Sequence, residues 1–369
     1  MSRQVKTLLC YISGHGFGHA VRVMEVLRAL WTRQADLVMA IRTAVPRWFF
    51  ELGLGGPFSH APCTLDIGAV QRDSLSVDPE ATLRAYAEIV ARREALIANE
   101  VNAARAVCPA LVFADIPALA FDIAARLGVP GVAMTNFSWD WIYADYLAEF
   151  GQYASFVDDL RRSYARADLL LRLPLHGDLS AFPVVRDTAL VARTAKLAPA
   201  EVRRRLGLSQ RNRHVLLSFG GIGITLSAVP AAPPHVTFVA TQSATERAAA
   251  APGCCFISNL QLAAANVRYE DLVAACDVVM TKPGYGIVSD CIANGTPIIY
   301  TSRGRFVEYE CLVQGIQAHL PHAFISNTDL YSGQWTAALE AVFAQPRRTP
   351  ALDCNGAAMA ADALWSFLR

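Results

Sequence analysis

The chain has almost no net charge. Its 33 lysines and arginines face 32 aspartates and glutamates, a formal balance of +1. Bulk nucleic-acid binding leans on a strong basic excess, so this balance argues against it. The nine cysteines (Cys10, Cys63, Cys108, Cys254, Cys255, Cys276, Cys291, Cys311 and Cys354) form no C-x-x-C pair, and their number is odd. Neither a zinc site nor a disulfide framework is expected, but reduced, mostly buried thiols of a cytoplasmic protein. No run of about 18 uninterrupted apolar residues occurs, so no segment is expected to span a membrane. The opening MSRQVKTLLCYIS leads straight into glycines and not into a small-residue cleavage site; it reads as a first strand, not a signal peptide. No G-x-x-x-x-G-K-[ST] is present, which argues against a P-loop kinase.

What is present is apolar. At 53% hydrophobic and 18% charged over 369 residues, the chain suits a globular protein of two domains. Residues 7–13 read as a buried strand, 20–31 as a helix with Val23, Val26, Leu27 and Leu30 on one face, and 36–43 as a second strand. Residues 79–106 are rich in helix formers. Strand 111–114, helix 118–127 and strand 131–135 continue an alternation that predicts a doubly wound parallel α/β sheet. Residues 168–173 read as the last strand of this half. Prolines and arginines then mark a linker. The expected division is a first domain over 1–175, a linker over 176–198 and a second α/β domain over 199–369, whose last helix can pack back on the first. Ligands of open α/β sheets bind at the carboxyl ends of strands, so the loops of both halves should face a common cleft.

The most informative stretch is 277–300, DVVMTKPGYGIVSDCIANGTPIIY. It reads as strand, glycine loop, helix, glycine stop and strand. A glycine loop that opens a helix presents backbone N–H groups, with the positive helix end behind them, to an anion such as a phosphate. Lys282, Pro283, Gly284, Tyr285 and Gly286 form that loop. Lys282 can meet a second phosphate oxygen, and Asp290, two turns on, can accept from sugar hydroxyls. An ordinary strand–loop–helix with a solvated Lys and Asp fits the same residues. Gly220-Gly221-Ile222-Gly223, at another strand end, offers a second nest of N–H groups for a diphosphate.

Near the start, GHGFGHA falls short of a dinucleotide fingerprint, because His19 stands at the third glycine and no acidic residue ends the second strand. It leaves His15 and His19 on a loop at the top of the first strand, with Asp115 at the end of a later strand. A histidine ring held by a carboxylate is a competent general base near neutral pH. Helix capping by His19 and Asp115 is the structural alternative. Asn136, Trp139 and Asp140, in TNFSWDWIY, interleave rings with polar groups in a way that suits a carbohydrate acceptor, or a helix start packed on the core.

K-P-G-Y-G-I-V-S-D-x4-G-T-P resembles the donor signature of GT-B glycosyltransferases, which in the UDP-glycosyltransferases runs H-C-G-W-N-S-x-x-E followed by G-x-P. Lys282 falls at the phosphate-binding His, Tyr285 at the Trp and Asp290 at the ribose-binding Glu. Gly286 and Ile287 replace Asn and Ser. The whole pattern is similar to the glycosyltransferase-like half of plant L-arabinokinases and their bacterial relatives; nothing in the chain resembles the sugar-kinase half. The resemblance implies a GT-B fold and His19 as base oriented by Asp115, with His15 in reserve. It also implies a donor site that includes Gly16, Gly18, Gly220, Gly221 and Glu308. The implied co-substrate is a nucleotide-diphosphate sugar, a UDP-sugar in the first instance, with an unknown hydroxyl acceptor and no further cofactor. No Asp-x-Asp triplet occurs, which counts against the metal-dependent glycosyltransferase fold. The expected activity is metal-independent, inverting sugar transfer. A nucleotide-sugar epimerase of the same fold and a non-catalytic sugar-nucleotide binder are the alternatives.

Overall fold

The computed structural model describes residues 6–34, 36–73, 75–220, 229–241, 253–349 and 352–369. Its framework is two parallel sheets. The first runs β3-β2-β1-β6-β7-β8-β9. These strands are β1 (Thr7–Ile12), β2 (Val38–Arg42), β3 (Phe58–Ala61), β6 (Pro109–Asp115), β7 (Gly131–Thr135), β8 (Leu169–Arg172) and β9 (Val185–Asp187). A small antiparallel hairpin, β4 (Gln71–Asp73) with β5 (Ser76–Val77), lies between β3 and β6 in the chain. The second sheet runs β12-β11-β10-β13-β14-β15. Its strands are β10 (Arg213–Ser218), β11 (Val236–Thr241), β12 (Cys254–Ile257), β13 (Val278–Thr281), β14 (Ile298–Tyr300) and β15 (His322–Phe324).

The central strands are apolar along their whole length because helices cover both faces. All six residues of β1 and all four of β13 are buried. Helix ends follow the local chemistry. Asp78 caps helix Pro79–Ala91 by accepting from the Ala81 N–H at 3.0 Å, with Pro79 in the first turn. Gly295, at φ 62°, closes helix Tyr285–Asn294 in the left-handed conformation.

Three expectations need correction. The helix-rich stretch 79–106 is two helices, Pro79–Ala91 and Arg93–Arg105, broken at Arg92 without a proline or glycine. Arg93, which opens the second, is held by Asp122 and Ser163, each at 2.7 Å. Strand β8 is not the last of the first sheet: Val185–Asp187, inside the expected linker, adds a seventh strand parallel to it. The cysteines are all free thiols, yet only Cys10, Cys276 and Cys291 are buried, and Cys108 is exposed.

The chain ends on its own beginning. Helix Gly356–Leu368 packs along helix Gly18–Arg33. Lys6 Nζ donates to the Leu368 carbonyl, and Arg33 Nε donates to Asp362 at 2.6 Å. Among the described residues, no helix is long and apolar enough to cross a membrane.

Candidate active site

Strand pairing brings the first part of the site together. Ile12 lies beside Asp115 in the β1–β6 register, and the Ser13 N–H donates to the Asp115 carbonyl at 2.9 Å. The chain then turns through the glycines and enters helix Gly18–Arg33. This places His19 Nδ1 3.0 Å from Asp115 Oδ1. Asp115 is fully buried, and its carboxyl nevertheless stays below the usual range. Burial works to raise it, but the charges and hydrogen bonds of Arg22 and His19 outweigh that effect. The other ring nitrogen of His19 has no hydrogen-bond partner among the described residues.

Arg22 was not anticipated. One turn after His19 on the same helix, it is 4% exposed. Its Nη2 donates to Asp115 Oδ1 at 2.6 Å and its Nε to Oδ2. Its Nη1 donates to Asn136 Oδ1 at 2.7 Å. The i, i+3 spacing from His19 is the signal that places both on one helix face.

His15 is half-buried. Its ring meets Trp139 edge-on at 5.9 Å and lies against Gly68, where a Cβ would come within 2.2 Å of Nδ1. Burial, together with the nearby charges of Arg303, His19 and Lys282, pushes its pKa down to about 3. It is therefore a neutral ring at physiological pH.

The second half supplies the opposite wall. Gly284 is the N-cap of helix Tyr285–Asn294. A Cβ on Gly286 would lie 4.0 Å from the Gly18 Cα, so the N-termini of the two helices meet. Each contributes unpaired N–H groups and a positive end. Gly16, in the turn before, has φ 76° and open space around it. The Tyr285 ring is buried under the Arg22 guanidinium, 5.0 Å from centroid to Cζ. Lys282 faces the same region. Burial first, then Arg303, pushes its pKa down to about 8, against the opposing charge of Asp73. A Cβ on Gly220 would stand 3.9 Å from Lys282 Cε, and at φ 77° the turn requires glycine. Gly221 lies outside the described residues.

Arg303 is a second residue that was not anticipated. It follows β14, stacks on Phe306 at 4.1 Å and reaches the Pro283 carbonyl at 3.4 Å. Its Nη1 donates to Glu308 at 3.0 Å, while its buried Nε has no partner among the described residues. Glu308 also accepts from Asn136 Nδ2 at 2.8 Å, a hydrogen bond between the two halves.

Other expected residues are committed elsewhere. Asp290, expected on ribose hydroxyls, is 2% exposed and accepts from Arg193 of the linker. The Arg193 N–H lies at 2.9 Å and Nε at 3.0 Å, and Nη2 completes the fork. The carboxylate sits on the helix side turned toward the linker. Trp139 and Asp140 do not form an open pocket. Trp139 is 1% exposed and donates its indole N–H to Asp66 at 2.9 Å. Asp140 is buried and paired with Arg161 at 3.3 Å. Both belong to the start of a packed helix, and Asn136 bridges Arg22 and Glu308.

Two parallel α/β sheets whose helix N-termini meet at Gly18 and Gly286 have known counterparts. The chain matches the calicheamicin glycosyltransferase CalG4 with a TM-score of 0.62 at 13% identity, over 99% of each chain. The chain has the GT-B glycosyltransferase fold. Further GT-B structures agree. A Polygonum tinctorium UDP-glucosyltransferase capable of glucosylating indoxyl matches at 0.60 and 12% identity, over 99% of each chain. The Phytolacca americana protein UGT2, complexed with UDP-2-fluoro-glucose and pterostilbene, matches at 0.56 and 12%, over 98% of this chain and 94% of that one. In sequence, the chain is homologous to an L-arabinokinase of Arabidopsis thaliana, 32% identical over 333 residues. That match covers 89% of this chain but only 31% of the relative. No protein-family profile matches the chain.

Proposed function

We propose that the protein transfers a sugar from a nucleotide-diphosphate sugar to a hydroxyl acceptor, without a metal and with inversion at the anomeric carbon. The observation that carries this reading is the His19–Asp115 bond beside the meeting point of two helix N-termini. In this mechanism His19 Nε2 takes the acceptor proton. The acceptor oxygen attacks the anomeric carbon as the bond to the diphosphate breaks, and the diphosphate leaves with the electron pair. Lys282 and the N–H groups at Gly284–Gly286 stabilise the departing charge electrostatically. UDP-sugars are the first donors to test, because the UGT2 structure of the same fold is complexed with one.

A second reading, a non-catalytic sugar-nucleotide binder, draws on the arginine engagement of both Asp115 and Asp290. A thermal-shift screen of nucleotides and nucleotide sugars, followed by incubation of the binding donors with pooled hydroxyl acceptors, separates the two. A transferase raises its melting point with a donor and releases the nucleoside diphosphate with a new glycoside. Binding without any donor turnover supports the second reading, and no stabilisation by any nucleotide contradicts both.

A further inference from the structure

Asp115 is shared. A carboxylate serving one histidine is free to stabilise the imidazolium, but this one also carries the full fork of Arg22 on its two oxygens. All three groups are at least nine-tenths buried, so their charges are weakly screened. Oδ1 lies 3.0 Å from His19 Nδ1 and 2.6 Å from Arg22 Nη2, and those two nitrogens are 3.1 Å apart. Arginine can only donate and the carboxylate can only accept. The consistent assignment has Nδ1–H and Nη2–H both donating to Oδ1, leaving the lone pair on Nε2.

From this geometry we infer that Arg22 is a positioning residue that fixes the His19 tautomer and sets its basicity by sharing Asp115. The inference rests on reading His19 as the base. With the arginine charge beside it, Asp115 orients the ring but gives the imidazolium little net stabilisation. The other groups facing His19 do not take over this role. Asp66 lies across from it and is bonded to Trp139, His15 is neutral, and Phe137 offers only a ring edge at 5.7 Å. Arg22 also ties the dyad to the donor half, through Asn136, Glu308 and Arg303 in turn.

The test is the titration of His19 followed by nitrogen NMR of labelled imidazoles, in the wild type and in Arg22→Gln and Arg22→Lys. The wild type should show a protonated Nδ1 and an unprotonated Nε2. Arg22→Gln should raise the His19 midpoint by about one pH unit or more, the effect of an unshared carboxylate at this distance. The acid limb of the transfer rate should move with it. Arg22→Lys keeps a positive charge and should titrate near the wild type. Should Arg22→Gln fail to fold, Asp115→Asn replaces it, with the opposite result expected: a midpoint below the wild type, because Arg22 then acts on His19 unopposed. An unmoved midpoint in a folded Arg22→Gln, or in Asp115→Asn where that stands in, overturns the inference, as does an Nε2–H tautomer in the wild type. The titration needs no turnover. A shifted midpoint in a protein that transfers no sugar leaves the role of Arg22 standing and removes the transferase reading.

Discussion

Replacing Asp290 by alanine should cost fold stability, because its carboxylate anchors the linker. It accepts from Arg193 through the backbone N–H at 2.9 Å, through Nε at 3.0 Å and through Nη2. Removing one partner of a buried ion pair costs about 3–5 kcal/mol when the other is left uncompensated. Arg193 would retain Glu270 at 3.6 Å and the Tyr269 ring at 5.4 Å. The expected loss is therefore at the low end, about 3 kcal/mol. In urea that corresponds to a midpoint lowered by about 1 M, for a slope near 3 kcal/mol/M. Arg193→Ala should lose a similar amount, and the double variant little more than either, since both remove one interaction. Circular dichroism through a urea titration measures all three. An unchanged midpoint in Asp290→Ala, with UDP affinity lost, would refute this reasoning and put the carboxylate on the nucleotide.

Nucleotide binding should depend on Lys282, whose pKa is pushed down to about 8. UDP affinity, followed by calorimetry between pH 7 and 9.5, should fall as pH rises through 8, where the ammonium loses its proton; Lys282→Arg should remove that fall. His15 sets a stability slope. Its folded pKa is about 3 against 6.5 for the free side chain, so between those values the unfolded chain holds the extra proton; stability rises with pH there and is lost as the pH is lowered. His15→Asn should flatten the slope in denaturation series at pH 4 to 7. Gly68→Ala should lower the melting point, since φ is +67° and the new methyl would fall 2.2 Å from His15 Nδ1. The left-handed backbone alone costs about 1–2 kcal/mol, and a melting point equal to the wild type would contradict the placement of His15.

The parallel sheets were legible because buried strands and helical spacing alternate over long stretches. Strand Gly131–Thr135 matches the range read from the sequence, and helix Leu119–Leu127 starts one residue later than the range read for it. Strand β9 was not, because Val185–Asp187 is a three-residue exposed edge within a proline- and arginine-rich segment. In the site, His19 and Asp115 were legible because each ends or follows a recognisable strand. What their carboxylate also serves was not, because Arg22 reads as one more charge on an amphipathic helix. The same limit applies to Asp290: spacing puts it on a helix face, but which face meets the linker is a tertiary fact. Trp139 and Asp140 show the hazard of composition, since rings interleaved with polar groups describe a packed helix start as well as a sugar pocket. Arg303 carries no motif and emerges only where β14 places it beside the glycine loop.

The most direct measurement is the rate of sugar transfer by His19→Ala at saturating donor, once a donor–acceptor pair is found, against the wild type and His15→Ala. A base at His19 predicts a loss of about 10²–10⁴-fold, donor affinity nearly unchanged because the donor loop belongs to the other half, and His15→Ala retaining most of its activity. Wild-type turnover in His19→Ala would contradict the account, and if His15→Ala were then inactive the role of base would pass to His15.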